Sequence, residues 1–276
     1  MKTGLSNLLT RTLAGSVFIV LVLVSVWLGP WALGVVFFLF AMAGLWECYH
    51  IISNQPNVLP RYTGGYFTGS LIYSFILLIC TGHVDQGIFW WLIPMIVALF
   101  STDLIYLEKF SLTHFGVTVV GWIYVVIPFS LINVLGCISG TYEVFLLLGY
   151  FILLWTNDTL AYVVGRTFGK HKLFEKVSPK KTVEGFLGGL LFTFLAAWIL
   201  HLSFQRIELK HWLMMASIIS IFGTIGDLLE SHIKRGVGIK DSGKLLPGHG
   251  GILDRFDSLL VSLPLVVFYF KIFVYP

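Results

Sequence analysis

Residues 13–46 read LAGSVFIVLVLVSVWLGPWALGVVFFLFAMAGLW, without one charged side chain and broken only at Gly29-Pro30. The apolar residues run on without the polar alternation of a lipid-facing barrel strand. A helix satisfies its own backbone hydrogen bonds, so runs of this kind cross a bilayer as helices. Each half is short for a span, and the Gly-Pro break predicts a tight hairpin of two helices, 13–28 and 31–46. Lys2 and Arg11 ahead of the first run resemble a signal peptide. No small-residue cleavage site follows, so a retained first span is expected.

Outward from this stretch the pattern repeats. Further apolar runs lie at 65–82, 88–107, 115–136, 144–163, 186–204, 212–230 and 256–274. The predicted fold class is all-α, a polytopic membrane protein of about nine transmembrane helices. Composition agrees. The 276 residues are 57% hydrophobic and only 12% charged, against about 25% charged in a soluble domain. With the N-terminus in the cytoplasm and nine spans alternating, all but three of the 18 Lys and Arg fall on the cytoplasmic side. The exceptions are Arg206, Lys210 and Lys271. The positive-inside rule predicts this bias, and removing one span would throw a basic loop to the wrong face. Cys48, Cys80 and Cys137 form no CxxC and stand at no metal spacing, so neither a disulfide framework nor a zinc site is expected. We divide the chain into residues 1–140, helices for packing, dimer or lipid contacts, and residues 141–276, a catalytic region with cytoplasmic loops 165–185 and 231–257.

The first of these loops reads GRTFGKHKLFEKVSPKKTVEG over 165–185. Arg166, Lys170, Lys180 and Lys181 stand among glycines, with Ser178-Pro179 ahead of the basic pair and Glu184 after it. Glycines let backbone amides approach a phosphate, and lysine supplies a point charge. Basic residues also collect on cytoplasmic loops as topology signals alone. The spacing is not that of a Walker A loop, because His171 stands where Ser or Thr is required. Gly185 and Gly189 at i, i+4 suit helix packing. Just upstream, Asn157-Asp158 lies near the end of the sixth run, where an acid either serves a site or snorkels to the interface.

The eighth run ends GTIGDLLESHIKR, which places Asp227, Glu230, Ser231 and Lys234 on one stripe of an apolar helix. Two readings fit: an Asp–Lys pair that holds helices together, or a metal ligand facing a polar cavity. The following loop favours the second. Asp241, Asp254 and Asp257 stand among Lys234, Arg235, Lys240, Lys244 and Arg255, with Gly248-His249-Gly250-Gly251 as a turn before the last run. Hard oxygen ligands without Cys or clustered His suit Mg²⁺, which is held by one or two carboxylates plus substrate phosphates. Basic residues beside such an ion suit phosphoryl chemistry.

The segment Ser231-x-Ile-Lys-Arg-x4-Lys-Asp-x-Gly-x2-Leu-Pro-x-His-Gly-Gly-Ile-x-Asp-Arg-Phe-Asp257 resembles the signature of the phosphatidate cytidylyltransferases, the CDP-diacylglycerol synthases. The segments Gly-Arg-x-Phe-Gly-Lys-His-Lys-Leu and Ser-Pro-Lys-Lys-Thr-x-Glu-Gly are similar to that family as well, so the likeness covers about residues 155–260. The resemblance implies transfer of CMP from CTP to phosphatidic acid, giving CDP-diacylglycerol and pyrophosphate. It also implies dependence on a divalent metal and a homodimer in the inner or plasma membrane with its active site facing the cytoplasm. Asp227 and Asp254 are the metal-binding acids that it implies, with Asp257 nearby and room for a second cation. Asp227, Asp254, Lys234, Arg235, Lys240 and Asp241 form the expected catalytic set. Substrate contacts are expected from Asn157, Asp158, Arg166, Lys170, Ser178, Lys180, Lys181, Glu184, Ser231, His249 and Arg255. The expected partners are CTP, phosphatidic acid and membrane lipids, and no nucleic acid. Two rivals remain at this stage, a CTP-dependent lipid-alcohol kinase and an ion-coupled transporter.

Overall fold

A computed structural model describes residues 4–54, 60, 62–94, 96–98, 112–175, 177–243 and 250–276, the first eight of these and residues 14 and 112 by backbone alone. The chain is an all-α membrane protein. Among the described residues, seven helices are long and apolar enough to cross a bilayer. They are α2 (Pro30–Ser53), α3 (Tyr62–Cys80), α4 (Thr113–Gly136), α5 (Val144–Phe168), α6 (Val183–Ser203), α7 (Leu209–Gly236) and α8 (Leu253–Phe273). Ahead of them α1 covers Gly4–Leu28, of which Gly15–Leu28 is a shorter apolar helix.

The predicted 88–107 span begins differently from expectation. Gln86–Trp91 is a 3₁₀ helix, and the shorter apolar helix of this region runs Gln86–Ala98. The rest of that span lies outside the described residues, as do Arg61, Lys109, Lys176, Lys244 and His249. The predicted α1–α2 hairpin is present. Gly29 takes φ 110°, a conformation that favours glycine, and Pro30 opens the next helix, where its missing N–H costs nothing. Helix α2 then continues past the predicted end at 46, which carries Glu47 inside it.

Among the described residues, polar side chains tie the helices together at specific points, as expected where a hydrophobic driving force between helices is absent. The Tyr73 hydroxyl donates to the Gly34 carbonyl at 2.9 Å, and the Trp122 indole N–H to the Gly65 carbonyl at 2.8 Å. Trp122 stands at the start of a π-helical turn, Trp122–Val126, inside α4. Tyr150 on α5 pairs with Ser262 on α8 at 3.0 Å. The C-terminal helices approach closely because small residues allow it. A Cβ on Gly189 of α6 would stand 2.9 Å from the Ala161 methyl of α5, so the expected packing role of that glycine holds. A Cβ on Gly226 of α7 would collide with the Asp257 carbonyl of α8. One buried core draws on α1 to α8, from Val22 to Phe270.

Between α5 and α6 the 165–185 segment folds into an antiparallel hairpin, β1 (Lys172–Phe174) and β2 (Ser178–Thr182). Thr182 ends it by capping α6, accepting from the Gly185 N–H at 3.1 Å.

Candidate active site

Acids of α5, α7 and α8 come together, and one residue of the hairpin reaches them. The Lys181 ammonium of β2 meets the Asp227 carboxylate of α7 at 2.6 Å. The first basic loop therefore lies against α7, which chain order alone does not require. Ser231, one turn beyond Asp227, donates to it at 3.3 Å. The Asp158 carboxylate on α5 accepts from Asn157 and from Ser258 on α8, each at 3.4 Å. Asp257 on α8 stands within electrostatic reach of Asp227, Glu230 and Asp158. Gly226 makes this convergence possible, since any side chain there would push α8 and its Asp257 away.

One and two turns further along α7 lies a second, tighter cluster. Lys234 donates to Glu230 at 2.6 Å and to Asp254 at 2.5 Å, and all three side chains are nearly inaccessible. The other Asp254 oxygen accepts from the backbone N–H groups of Gly251 at 2.7 Å and Ser242 at 3.0 Å. An Asp–Lys pair thus ties α7 to α8, between Lys234 and Asp254. Asp227 takes its lysine from the hairpin instead.

Other predicted residues have different surroundings. Glu184 points into its own loop, accepting from the Lys170 and His171 N–H groups and from the His171 ring at 2.6 Å. The Arg166 side chain donates to Tyr162, and that of Arg235 to the Ile239 carbonyl. Lys170, Lys180, Lys240, Asp241 and Arg255 are exposed, and Ser178 is half-buried at the start of β2.

Three groups outside the expected set face this region. Glu230 Oε1 is buried with no hydrogen-bond partner among the described residues, and so is the Tyr124 hydroxyl from the π-helical turn of α4. Tyr124 is within electrostatic reach of Glu230, Asp257 and Asp227. The third is Glu47, fully buried and bonded to the signature loop. Its only signal in the sequence is an acid inside an apolar helix.

Among the described residues no three metal-ligating side chains are grouped closely enough to form a site by themselves. Mg²⁺ does not need one, because it keeps water and takes ligands from substrate phosphates beside one or two carboxylates. Among the described residues the donor set fits: hard carboxylate oxygens, and an uncompensated buried oxygen on Glu230.

The phosphatidate cytidylyltransferase of Staphylococcus haemolyticus is 52% identical over 118 residues, covering 42% of this chain and 45% of that protein. The proteins of the same name from Staphylococcus epidermidis and Staphylococcus aureus strain COL are 49% and 50% identical over the same share of each chain. The aligned chain spans somewhat less than half the length of these curated relatives. The sequence model described as the cytidylyltransferase family matches residues 9–273, nearly end to end, and the chain belongs to that family.

Proposed function

We propose that this chain transfers CMP from CTP to phosphatidic acid, forming CDP-diacylglycerol and pyrophosphate in the plasma membrane. The observation that carries the reading is the contact of Lys181 with Asp227 at 2.6 Å. It joins a basic, phosphate-suited hairpin to the acids of α7 and α8 in a member of the cytidylyltransferase family. The relatives named phosphatidate cytidylyltransferase support the substrate pair.

A phosphate oxygen of the lipid attacks the α-phosphorus of CTP, the bond to the β-phosphate breaks, and pyrophosphate leaves with the bonding electrons. A phosphomonoester is largely dianionic at neutral pH, so no strong general base is required. The obstacle is repulsion between anions. Asp227 and Asp254, with Asp257 beside them and room for a second cation, would hold Mg²⁺, and its charge would offset the repulsion between the phosphates. Lys181 is partly exposed and turns from Asp227 to a substrate phosphate as the site fills. Lys234 stays fixed between Glu230 and Asp254 and keeps positive charge under the reacting centre. Arg166, Lys170, Lys180, Arg235, Lys240 and Arg255 offer their charges to the triphosphate and the lipid headgroup. Ser231 keeps Asp227 oriented. The site faces the cytoplasm, where CTP is found, while the acyl chains stay in the bilayer. The working unit is a homodimer, and nucleic acid is not a partner.

The test is purified protein in phosphatidic acid micelles with Mg²⁺ and CTP labelled at the α-phosphate. Label in the lipid with equal pyrophosphate release is expected, and excess chelator abolishes both. Label confined to free CDP would replace the transferase by a lipid kinase. Solute flux without any nucleotide would replace it by a transporter.

A further inference from the structure

We propose that Glu47 of α2 is a positioning residue for the reaction, holding Ser242 to the start of α8 and, through Asp254, setting Lys234. The inference rests on the function proposed above. Glu47 is fully buried. An ionised carboxylate in such a place is costly unless its oxygens are satisfied. Here they are. Glu47 accepts from the backbone N–H groups of Ile252 at 2.9 Å and Leu253 at 3.0 Å, and from the Ser242 hydroxyl at 3.0 Å. The first two donors stand at the start of α8, where helical N–H groups lack partners and the helix dipole favours an anion. The third lies at the opposite side of the loop. One carboxylate therefore ties both sides together.

Asp254 grips the same loop from its other side. Ser242 gives its hydroxyl to Glu47 and its N–H to Asp254, while Gly251 gives its N–H to Asp254. The packing at these contacts is tight. A Cβ at Gly251 would overlap both Ser242 Oγ and the Glu47 carboxylate, and one at Gly243 would also meet that carboxylate. Two consequences follow. The start of α8, a natural anion site, is already filled by the protein's own acid, so substrate phosphate is directed to the lysines. And Asp254 can hold Lys234 in place only while the Ser242 and Gly251 N–H groups are themselves held.

Glu47→Gln tests this. Glutamine has one acceptor oxygen, so in either orientation its NH₂ confronts a backbone N–H. We expect kcat to fall about 10²-fold, as for small misplacements of catalytic groups, with KM for CTP little changed. Hydrogen exchange of residues 250–254 is expected to quicken at least tenfold, roughly the effect of losing one charged hydrogen bond. Ser242→Ala removes one donor without placing like groups in opposition, and should shift both readouts the same way by less. It carries the test if the glutamine variant does not fold. Unchanged exchange in both variants overturns the clamp, and faster exchange with wild-type kcat overturns the positioning role. An inactive wild type would sink the proposed reaction, while exchange would still decide the clamp.

Discussion

Asp227 and Asp254 each stand against a lysine at nearly equal distance, yet their surroundings are opposite. The Lys181–Asp227 pair spans 2.6 Å with its side chains 25% and 34% exposed. The Lys234–Asp254 pair spans 2.5 Å with 10% and 8%. Water screens the first pair, so exchanging its partner for a phosphate or a cation costs little. The second is shielded, and removing one member leaves a buried charge short of a partner. Two acids that read alike in the sequence thus start from different states: the open one exchanges its partner readily, and the closed one also holds a lysine and a loop.

Three substitutions sharpen or break that contrast. Asp254→Asn should have the largest effect, lowering turnover by about 10²-fold or more. It should also lower folding stability by about 3 kcal/mol, because Lys234 keeps only Glu230. Thermal unfolding in detergent reads the second effect, and an unshifted transition would show that the closed pair does not hold the structure. Asp227→Asn should lose turnover to a similar extent while stability changes by less than about 1 kcal/mol, as for an exposed pair. A large loss of stability there would erase the contrast. Lys181→Met should have the smallest effect, about tenfold in turnover, the value of one charge-assisted hydrogen bond to phosphate. Wild-type kinetics would mean that Lys181 never leaves Asp227 for a substrate.

The polar stripe on α7 was legible in the sequence because helical spacing puts Asp227, Glu230, Ser231 and Lys234 on one face whatever surrounds it. Lys181 was legible as a basic residue, but not as the partner of Asp227, since 46 positions of chain separate them and only the hairpin brings them together. Glu184 was read as a substrate contact, but its fastening of its own loop through the Lys170 and His171 amides was not legible. Backbone donors carry no signal in side-chain spacing. Glu47 escaped notice for the same reason: two of its three donors are main-chain N–H groups more than 200 positions away.

By itself the sequence determined the solvent in which this chain folds, the helices that result, and the chemical character of two charged loops. Those properties follow from local composition and helical periodicity, which act over a few turns. Which acid takes which lysine, which carboxylate ties Ser242 to the start of α8, and which oxygens remain open for a ligand were decided only by tertiary packing. Such pairings depend on close approach between distant helices, set by small residues such as Gly226 and by burial that no single segment can create.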